Sequence, residues 1–247
     1  ITEEVLPEFR QFSDSFNQML ERLDEGFTAQ RQFTGNAAHE LRTPLALMQA
    51  QVELFSAEHP DVLPETADFL RLLREQTERM TQMTRTLLEM CGLQAVPCTD
   101  HIEIGPMIDE IFADLAPLAE KNNITLEREG DGAMTGSDTL IYRLLFNLTE
   151  NAIKYNRPGG SVRLSVTPEP EKLLIRVSDT GPGIPERFQR SVFQPFFRVD
   201  KSRSREYGGV GLGLSLVWEI VKLHGGTVCV ENSSEAGTTV AVSLPLR

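Results

Sequence analysis

The sequence predicts a multidomain protein: an all-α helical hairpin that forms a dimeric four-helix bundle, followed by an α+β sandwich whose mixed sheet carries helices on one face. Three observations predict this fold class. Apolar residues recur at heptad spacing in two N-terminal stretches, prolines separate those stretches, and after residue 96 strand patterns alternate with helix patterns. With 247 residues, of which 40% are hydrophobic, the chain is long enough to bury a sizeable core.

The first stretch predicts one long helix, which Gly26 and Pro44 should weaken locally. Its apolar residues are Phe9, Phe12, Phe16, Met19 and Leu23, and then Leu45, Met48, Val52 and Phe55. Pro60 and Pro64 end that helix, and a second one is predicted from about Thr66 to Cys91. Two helices cannot bury both apolar seams, so we expect a homodimer, the alternative being a hairpin packed on its own C-terminal domain.

The rest of the chain predicts a second domain after a short linker around Pro97. We expect helices near 106–121, 137–156 and 214–224, and strands near 101–104, 123–129, 161–166, 172–179, 227–232 and 238–246. The net charge of −12 disfavours a nucleic-acid partner, because the phosphate backbone would be repelled. The three cysteines lack the spacing of a zinc site, and we expect His59, His101 and His224 to be loop or terminal histidines.

Polar residues in the predicted helix at 137–156 form a candidate site for a metal ion and phosphate. Asn147, Asn151 and Lys154 follow one another at positions i, i+4 and i+7, so they project from one face of that helix. Asparagine carbonyls are oxygen ligands suited to Mg²⁺, and a lysine ammonium suits phosphate oxygens. The alternative is an ordinary solvated helix face.

Two glycine-rich stretches are candidates for close approach to a ligand. DTGPGI, residues 179–184, follows a strand, and Asp179 could accept a hydrogen bond from the exocyclic amine of adenine; an ordinary turn is the alternative. GGVGLGLSL, residues 208–216, runs into a helix whose N-terminus favours anions. Its position near the C-terminus disfavours a dinucleotide-binding fold, which needs its glycine motif after the first strand.

The segment between the two glycine groups predicts a phosphate lid, with a solvated loop as the alternative. Phe193, Phe196 and Phe197 could anchor it while cations reach the ligand.

In the N-terminal helix, His39 stands beside Glu40, which could take a proton or orient the ring. A zinc site of the HExxH type would need histidine at position 43, and the residue there is Thr43.

Five stretches in order resemble the boxes of sensor histidine kinases of bacterial two-component systems. They are FTGNAAHELRTPL for the phospho-acceptor box, NLTENAIKY for the N box, DTGPG and GGVGLGL for the glycine boxes, and FQPFFR for the F box. The resemblance implies the end of a HAMP signalling segment at 1–27, a dimerisation and phosphotransfer hairpin at 28–95, and an ATP-binding domain at 96–247. It also implies the cytoplasmic portion of a cell-membrane protein, joined to the membrane through a segment before Ile1.

The resemblance implies autophosphorylation of His39 from ATP with Mg²⁺, transfer to an aspartate of a response regulator receiver domain, and phosphatase activity on that regulator. His39, Glu40 and Thr43 would be catalytic, and Asn147 and Asn151 would hold Mg²⁺. Tyr155 would pack on the adenine, and Asp179 would accept from its amine. The nucleotide would also contact these two asparagines and Lys154, Gly181, Gly183, Arg198, Arg203, Gly209, Gly211 and Gly213. Thr43 would position water in the phosphatase reaction, and we hypothesise that Pro44 loosens the helix so that it switches between the two activities.

Two other functions are compatible with these residues. A hydrolytic ATPase of the same nucleotide fold would use a glutamate near the place of Asn147 to activate water, and asparagine cannot act as that base. A non-catalytic dimeric scaffold would bind ATP without ever carrying a phosphoryl group on His39.

Overall fold

The N-terminal part of the computed structural model is a helical hairpin. The structure describes residues 7–199 and 210–246. Helix α1 spans Pro7–Glu58 and α2 spans Pro64–Gly92, so the predicted long helix and the hairpin are confirmed. Pro44 lies inside α1 without ending it. Among the described helices, none has a stretch long and apolar enough to cross a membrane.

Among the side chains that the structure describes, few apolar groups of the hairpin are buried within one chain. Ala38 and Leu45 of α1 are buried, as are Thr77 and Thr84 of α2. Many large apolar side chains of the two helices remain exposed, including Leu41, Leu47, Met48, Leu54, Phe55, Phe69, Leu72, Leu73 and Met80. The hairpin therefore presents an apolar surface that its own chain leaves uncovered.

The C-terminal part alternates helices and strands as predicted. Its helices are α3 (Ile104–Asn122), α4 (Asp138–Lys154) and α5 (Gly213–Leu223). Its strands are β1 (Asp100–Glu103), β2 (Thr125–Gly130), β3 (Ala133–Gly136), β4 (Ser161–Pro168), β5 (Lys172–Asp179), β6 (Thr227–Ser234) and β7 (Gly237–Pro245). Strand β3 was missed because its four residues, AMTG, show no clear alternation.

The strands form a small antiparallel pair, β1–β3, and a mixed five-stranded sheet in the order β2-β4-β5-β7-β6. Only β2 and β4 pair in parallel within that sheet. One face packs on the helices through alternating residues such as Leu164, Ile175 and Val242, all fully buried. The other face carries exposed ion pairs such as Arg176–Glu231, as expected for an antiparallel sheet with one solvated side. The α+β sandwich prediction is thus confirmed.

His224 corrects one expectation, because it is buried at the end of α5 and joins two helices. Its Nε2 accepts a hydrogen bond from the backbone N–H of Ser137 at 3.1 Å, just before α4. Its Nδ1 lies 2.8 Å from the carbonyl oxygen of Ile220, one turn back. The sequence context gave no sign of this, because the partner Ser137 is distant in sequence.

The hairpin meets the second domain at the C-terminal end of α2. Leu93, just after α2, is buried in the core of the second domain. Arg143 of α4 donates to the Glu89 carboxylate of α2 at 2.6 Å, and Arg85 also approaches that carboxylate. A short apolar contact and an ion pair therefore connect the two parts.

Candidate functional site

The polar face of α4 supplies the centre of the candidate nucleotide site. Asn147, Asn151 and Lys154 are half-buried there, while Leu144 and Leu148 are buried on the opposite side. The Nδ2 of Asn147 donates to the carbonyl oxygen of Arg143 at 2.7 Å, which leaves Oδ1 as the atom that can bind a ligand. Lys154 is paired with Glu150 at 2.8 Å, one turn back.

The start of α5 lies against the two asparagines. A Cβ atom added at Gly213 would lie 3.0 Å from Asn147 Oδ1 and 3.6 Å from Asn151 Nδ2. A side chain at this position would fill the space in front of both amides, so glycine keeps that space open. The second glycine box and the N box therefore meet, as the resemblance implied.

Asp179 ends β5, and two backbone groups fix one of its carboxylate oxygens. Oδ1 accepts hydrogen bonds from the N–H groups of Gly181 at 2.8 Å and Thr238 at 3.2 Å. Oδ2 is then the oxygen that can accept from a ligand. Burial raises the pKa of the Asp179 carboxyl, and the two backbone hydrogen bonds oppose that increase.

The hairpin between β6 and β7 supports the first glycine box, a role that the sequence did not reveal. Ser233 Oγ accepts from the backbone N–H of Ile184 at 2.7 Å and lies 3.0 Å from Thr238 Oγ1. Gly183 has φ of +79°, and a Cβ there would overlap the carbonyl oxygen of Ser234. The β6–β7 turn thus holds both Asp179 and the glycines that follow it.

The end of α4 lies directly beside the same glycine box. Tyr155 follows the last residue of α4 and is 44% exposed, so its ring is available to a ligand. Gly181 is buried, and a Cβ there would lie 2.5 Å from the Tyr155 carbonyl oxygen. The two residues that the resemblance places on adenine, Tyr155 and Asp179, are therefore brought together.

The structure describes the two ends of the predicted lid. Phe197 packs on Phe188 with ring centroids 5.6 Å apart, and the backbone N–H of Phe196 donates to the Gly211 carbonyl oxygen at 2.9 Å. Gly211 has φ of +80°, and a Cβ there would lie 3.2 Å from Cγ of Arg198. Arg198 and Gly211 thus lie together, whereas Arg203 and Gly209 fall outside the described residues.

The three predicted catalytic residues lie on α1, apart from the nucleotide elements along the chain. His39, Glu40 and Thr43 are all exposed on that helix, within little more than one turn of one another. The neighbouring Ala38 and Leu45 are buried, so the helix keeps these polar groups on its solvent side. Exposure leaves the His39 ring accessible to another domain.

The donor atoms near Asn147 fit Mg²⁺ better than a transition metal. In the part of the chain that the structure describes, no three His, Cys, Asp or Glu side chains form a metal-binding group. Asn147 Oδ1 faces the space that Gly213 leaves clear, and the Asn151 amide, whose oxygen is a second hard ligand, lies beside it on the same side of α4. Mg²⁺ characteristically takes few protein oxygens and completes its shell with water and substrate phosphates, which suits this donor set.

Comparison with known families matches both parts of the chain. Residues 29–91 match the His Kinase A (phospho-acceptor) domain, and residues 136–247 match the family of histidine kinase-, DNA gyrase B-, and HSP90-like ATPases. The sensor protein CutS of Streptomyces coelicolor is 32% identical over 97% of this chain and 58% of its own length. The signal transduction histidine-protein kinase ArlS of Staphylococcus aureus is 31% identical over 95% of this chain and 53% of its own length.

Solved structures agree with these matches. Full-length ShkA in complex with AMPPNP has a TM-score of 0.69 over 87% of this chain and 45% of its own chain, and at 21% identity this similarity concerns the fold. The mycobacterial sensor histidine kinase MprB has a TM-score of 0.52 at 28% identity, covering 60% of this chain and 98% of its own.

The site and fold define a phospho-acceptor hairpin followed by an ATP-binding domain of the histidine kinase type. The chain belongs to the sensor histidine kinase family of two-component systems. It spans about half the length of the curated relatives it matches.

Proposed function

We propose that this chain transfers the γ-phosphoryl group of ATP to His39 and passes it on to an aspartate of a response regulator receiver domain. The observation that carries the proposal is that both glycine boxes lie against α4: Gly213 at the start of α5 lies against Asn147, and Gly181, which follows Asp179 at the end of β5, lies against Tyr155 at the end of α4. This arrangement provides an acceptor for a base at one end and amide oxygens for a metal–phosphate group at the other. An exposed histidine stands on a separate helix as the acceptor.

The chemical step needs a neutral imidazole at His39. The ring nitrogen that holds the lone pair forms a bond to the γ-phosphorus, and the bond from that phosphorus to the bridging oxygen breaks, releasing ADP. The second ring nitrogen carries a proton that becomes acidic in the product, and Glu40 accepts it or holds it by a hydrogen bond. Mg²⁺ at Asn147 and Asn151 would supply charge compensation for the phosphates.

Labelling distinguishes this proposal from the two other functions. Incubation with γ-labelled Mg-ATP should label the chain with an acid-labile, alkali-stable phosphoryl group, and His39→Gln should carry no label. His59→Gln is the matched control, because His59 is also an exposed histidine of the hairpin. Released phosphate without protein label would instead support a hydrolytic ATPase. Bound ATP with neither label nor hydrolysis would support a scaffold.

We also propose that Thr43 serves a phosphatase reaction on the phosphorylated regulator. Its exposed hydroxyl lies on α1 close to His39, where it could hold a water molecule against the acyl phosphate. Thr43→Ala should slow dephosphorylation of a phosphorylated receiver domain at least tenfold, as general acid–base or positioning groups usually do, while His39 labelling stays within about twofold. Equal losses of both activities would contradict a separate role for Thr43.

The switch proposed for Pro44 is a separate hypothesis. An equal ratio of kinase to phosphatase activity in wild type and Pro44→Ala would reject it.

We further propose a homodimer formed by the hairpins. The uncovered apolar side chains on α1 and α2 are what a four-helix bundle would bury. Sedimentation equilibrium should give a dimer at micromolar concentrations. The double variant Phe55→Glu/Phe69→Glu should be monomeric, because each carboxylate would have to be buried in the bundle. A monomeric wild-type chain would rule out this assembly.

A further inference from the structure

A small group of hydrogen bonds links the two sides of the proposed adenine site. Asn156 Oδ1 accepts from Thr180 Oγ1 at 3.0 Å and from the backbone N–H of Arg157 at 2.9 Å. Asn156 Nδ2 donates to the Ser161 carbonyl oxygen at 3.0 Å, and the Ser161 N–H donates to Thr180 Oγ1 at 2.9 Å. The side chains of Asn156 and Thr180 are thus fully engaged with each other and with the start of β4.

Asn156 and Thr180 each lie next to a residue of the proposed adenine site. Asn156 directly follows Tyr155, and Thr180 directly follows Asp179. Each member is therefore one residue away from a group proposed to contact adenine, and the pair crosses from the end of α4 to the end of β5. A shift of either side chain would alter the separation between the Tyr155 ring and the Asp179 carboxylate.

The backbone next to the pair is closely packed. A Cβ at Gly160 would lie 2.5 Å from Asn156 Oδ1 and would also overlap Thr180 Oγ1. On the other side, Gly181 lies against the Tyr155 carbonyl oxygen. The turn before β4 therefore packs against both members of the pair, and Thr180 keeps one side exposed.

We propose that Asn156 is a positioning residue for the nucleotide base, acting through Thr180 to fix the separation of Tyr155 and Asp179. It does not touch the nucleotide itself. This inference rests on the proposed function, because it assigns the base end of the same ATP site. It predicts that losing the Asn156–Thr180 bond weakens recognition of the base and leaves recognition of the phosphates intact.

The test compares variants of the full chain by calorimetric titration with Mg-ATP and, separately, with inorganic triphosphate. Asn156→Ala and Thr180→Val should each weaken ATP binding about tenfold, the size expected for about 1.4 kcal/mol of lost hydrogen bonding. Thr180→Ser keeps the hydroxyl and should bind ATP like the wild type. Triphosphate affinity should stay unchanged in all variants.

Asn122→Ala is the matched control for a purely structural loss. Asn122 ends α3, and its Nδ2 donates to the Leu118 carbonyl oxygen at 2.8 Å within that same helix, without contact to Asn156 or Thr180 in the described hydrogen bonds. It should lower the melting temperature without changing ATP affinity. The double variant Asn156→Ala/Thr180→Val should lose less than the product of the single losses, because both remove the same bond.

The outcomes separate this inference from the function beneath it. Wild-type chain that fails to bind Mg-ATP would overturn both. If the wild type binds Mg-ATP, two results would overturn the positioning role alone. One is an ATP affinity of Asn156→Ala and Thr180→Val within twofold of the wild-type value, and the other is a loss of triphosphate affinity equal to the loss of ATP affinity.

Discussion

Replacement of Asp179 by asparagine should lower the affinity for ATP about 100-fold. Oδ1 of the carboxylate already accepts from the N–H groups of Gly181 and Thr238. An amide has one oxygen, so if that oxygen keeps these bonds, its NH₂ group must face the adenine amine, donor against donor. Loss of a charged hydrogen bond with this repulsion costs about 3 kcal/mol, which corresponds to the stated factor.

Inosine triphosphate makes this prediction specific to the base. Its six-position oxygen is an acceptor, which suits the Nδ2 of asparagine and opposes a carboxylate. Asp179→Asn should therefore reverse the preference of the wild type for ATP over inosine triphosphate, measured by competition binding. Asp61→Asn, an exposed aspartate in the hairpin turn, should change neither affinity. A general loss of both nucleotides in Asp179→Asn would indicate a collapsed site instead of a base contact.

The pH dependence of that preference follows from the buried carboxyl. Because burial raises the pKa of Asp179, its proton binds at a higher pH than on an ordinary aspartate. Protonation removes the charged acceptor, so wild-type preference for ATP should decline as the pH falls through that raised pKa. The ratio of ATP to inosine triphosphate affinity cancels the titration of the phosphates, and it should be independent of pH in Asp179→Asn.

Much of this fold follows from periodic patterns that a sequence displays directly. The heptad seams predicted α1 and α2, and alternation in KLLIRVSD predicted β5 with its ends at Lys172 and Asp179. Strand β3 escaped because four small and mixed residues have no period, and it is fixed by pairing with β1. The burial of His224 escaped for a related reason, since it depends on Ser137, which tertiary packing brings near.

Some residues of the candidate site are likewise marked by a sequence pattern, and others become visible only through tertiary contacts. Asn147, Asn151 and Asp179 carry a helical spacing or a strand end that the sequence shows, and the structure brings their elements together. Ser233 and Thr238 carry no such signal, because serine and threonine near a hairpin turn are common and their role comes from contact with the first glycine box. The Glu89–Arg143 contact between hairpin and second domain likewise joins residues that no local pattern connects.

Replacement of Gly237 by alanine should both destabilise the second domain and weaken ATP binding. Gly237 begins β7 with φ of +141°, and a Cβ there would overlap the carbonyl oxygen of Asp179. Both the backbone strain and the overlap act against alanine, and together they should lower the free energy of unfolding by about 3 kcal/mol or more. The next residue, Thr238, donates to the Asp179 carboxylate, so any shift of β7 that relieves the overlap also moves that donor.

Gly26→Ala is the matched control, because Gly26 is exposed in α1 and a Cβ there would meet nothing within 4 Å. That variant should gain about 1 kcal/mol from helix propensity. The urea midpoint for unfolding of the second domain should therefore fall in Gly237→Ala. In Gly26→Ala that midpoint should rise, or stay unchanged if the helical hairpin unfolds separately. An unfolding midpoint of Gly237→Ala equal to that of the wild type would mean that Gly237 does not lie this close to the Asp179 backbone. Reduced ATP affinity at a temperature where Gly237→Ala remains folded would link the close approach of Gly237 and Asp179 to the geometry of the base site.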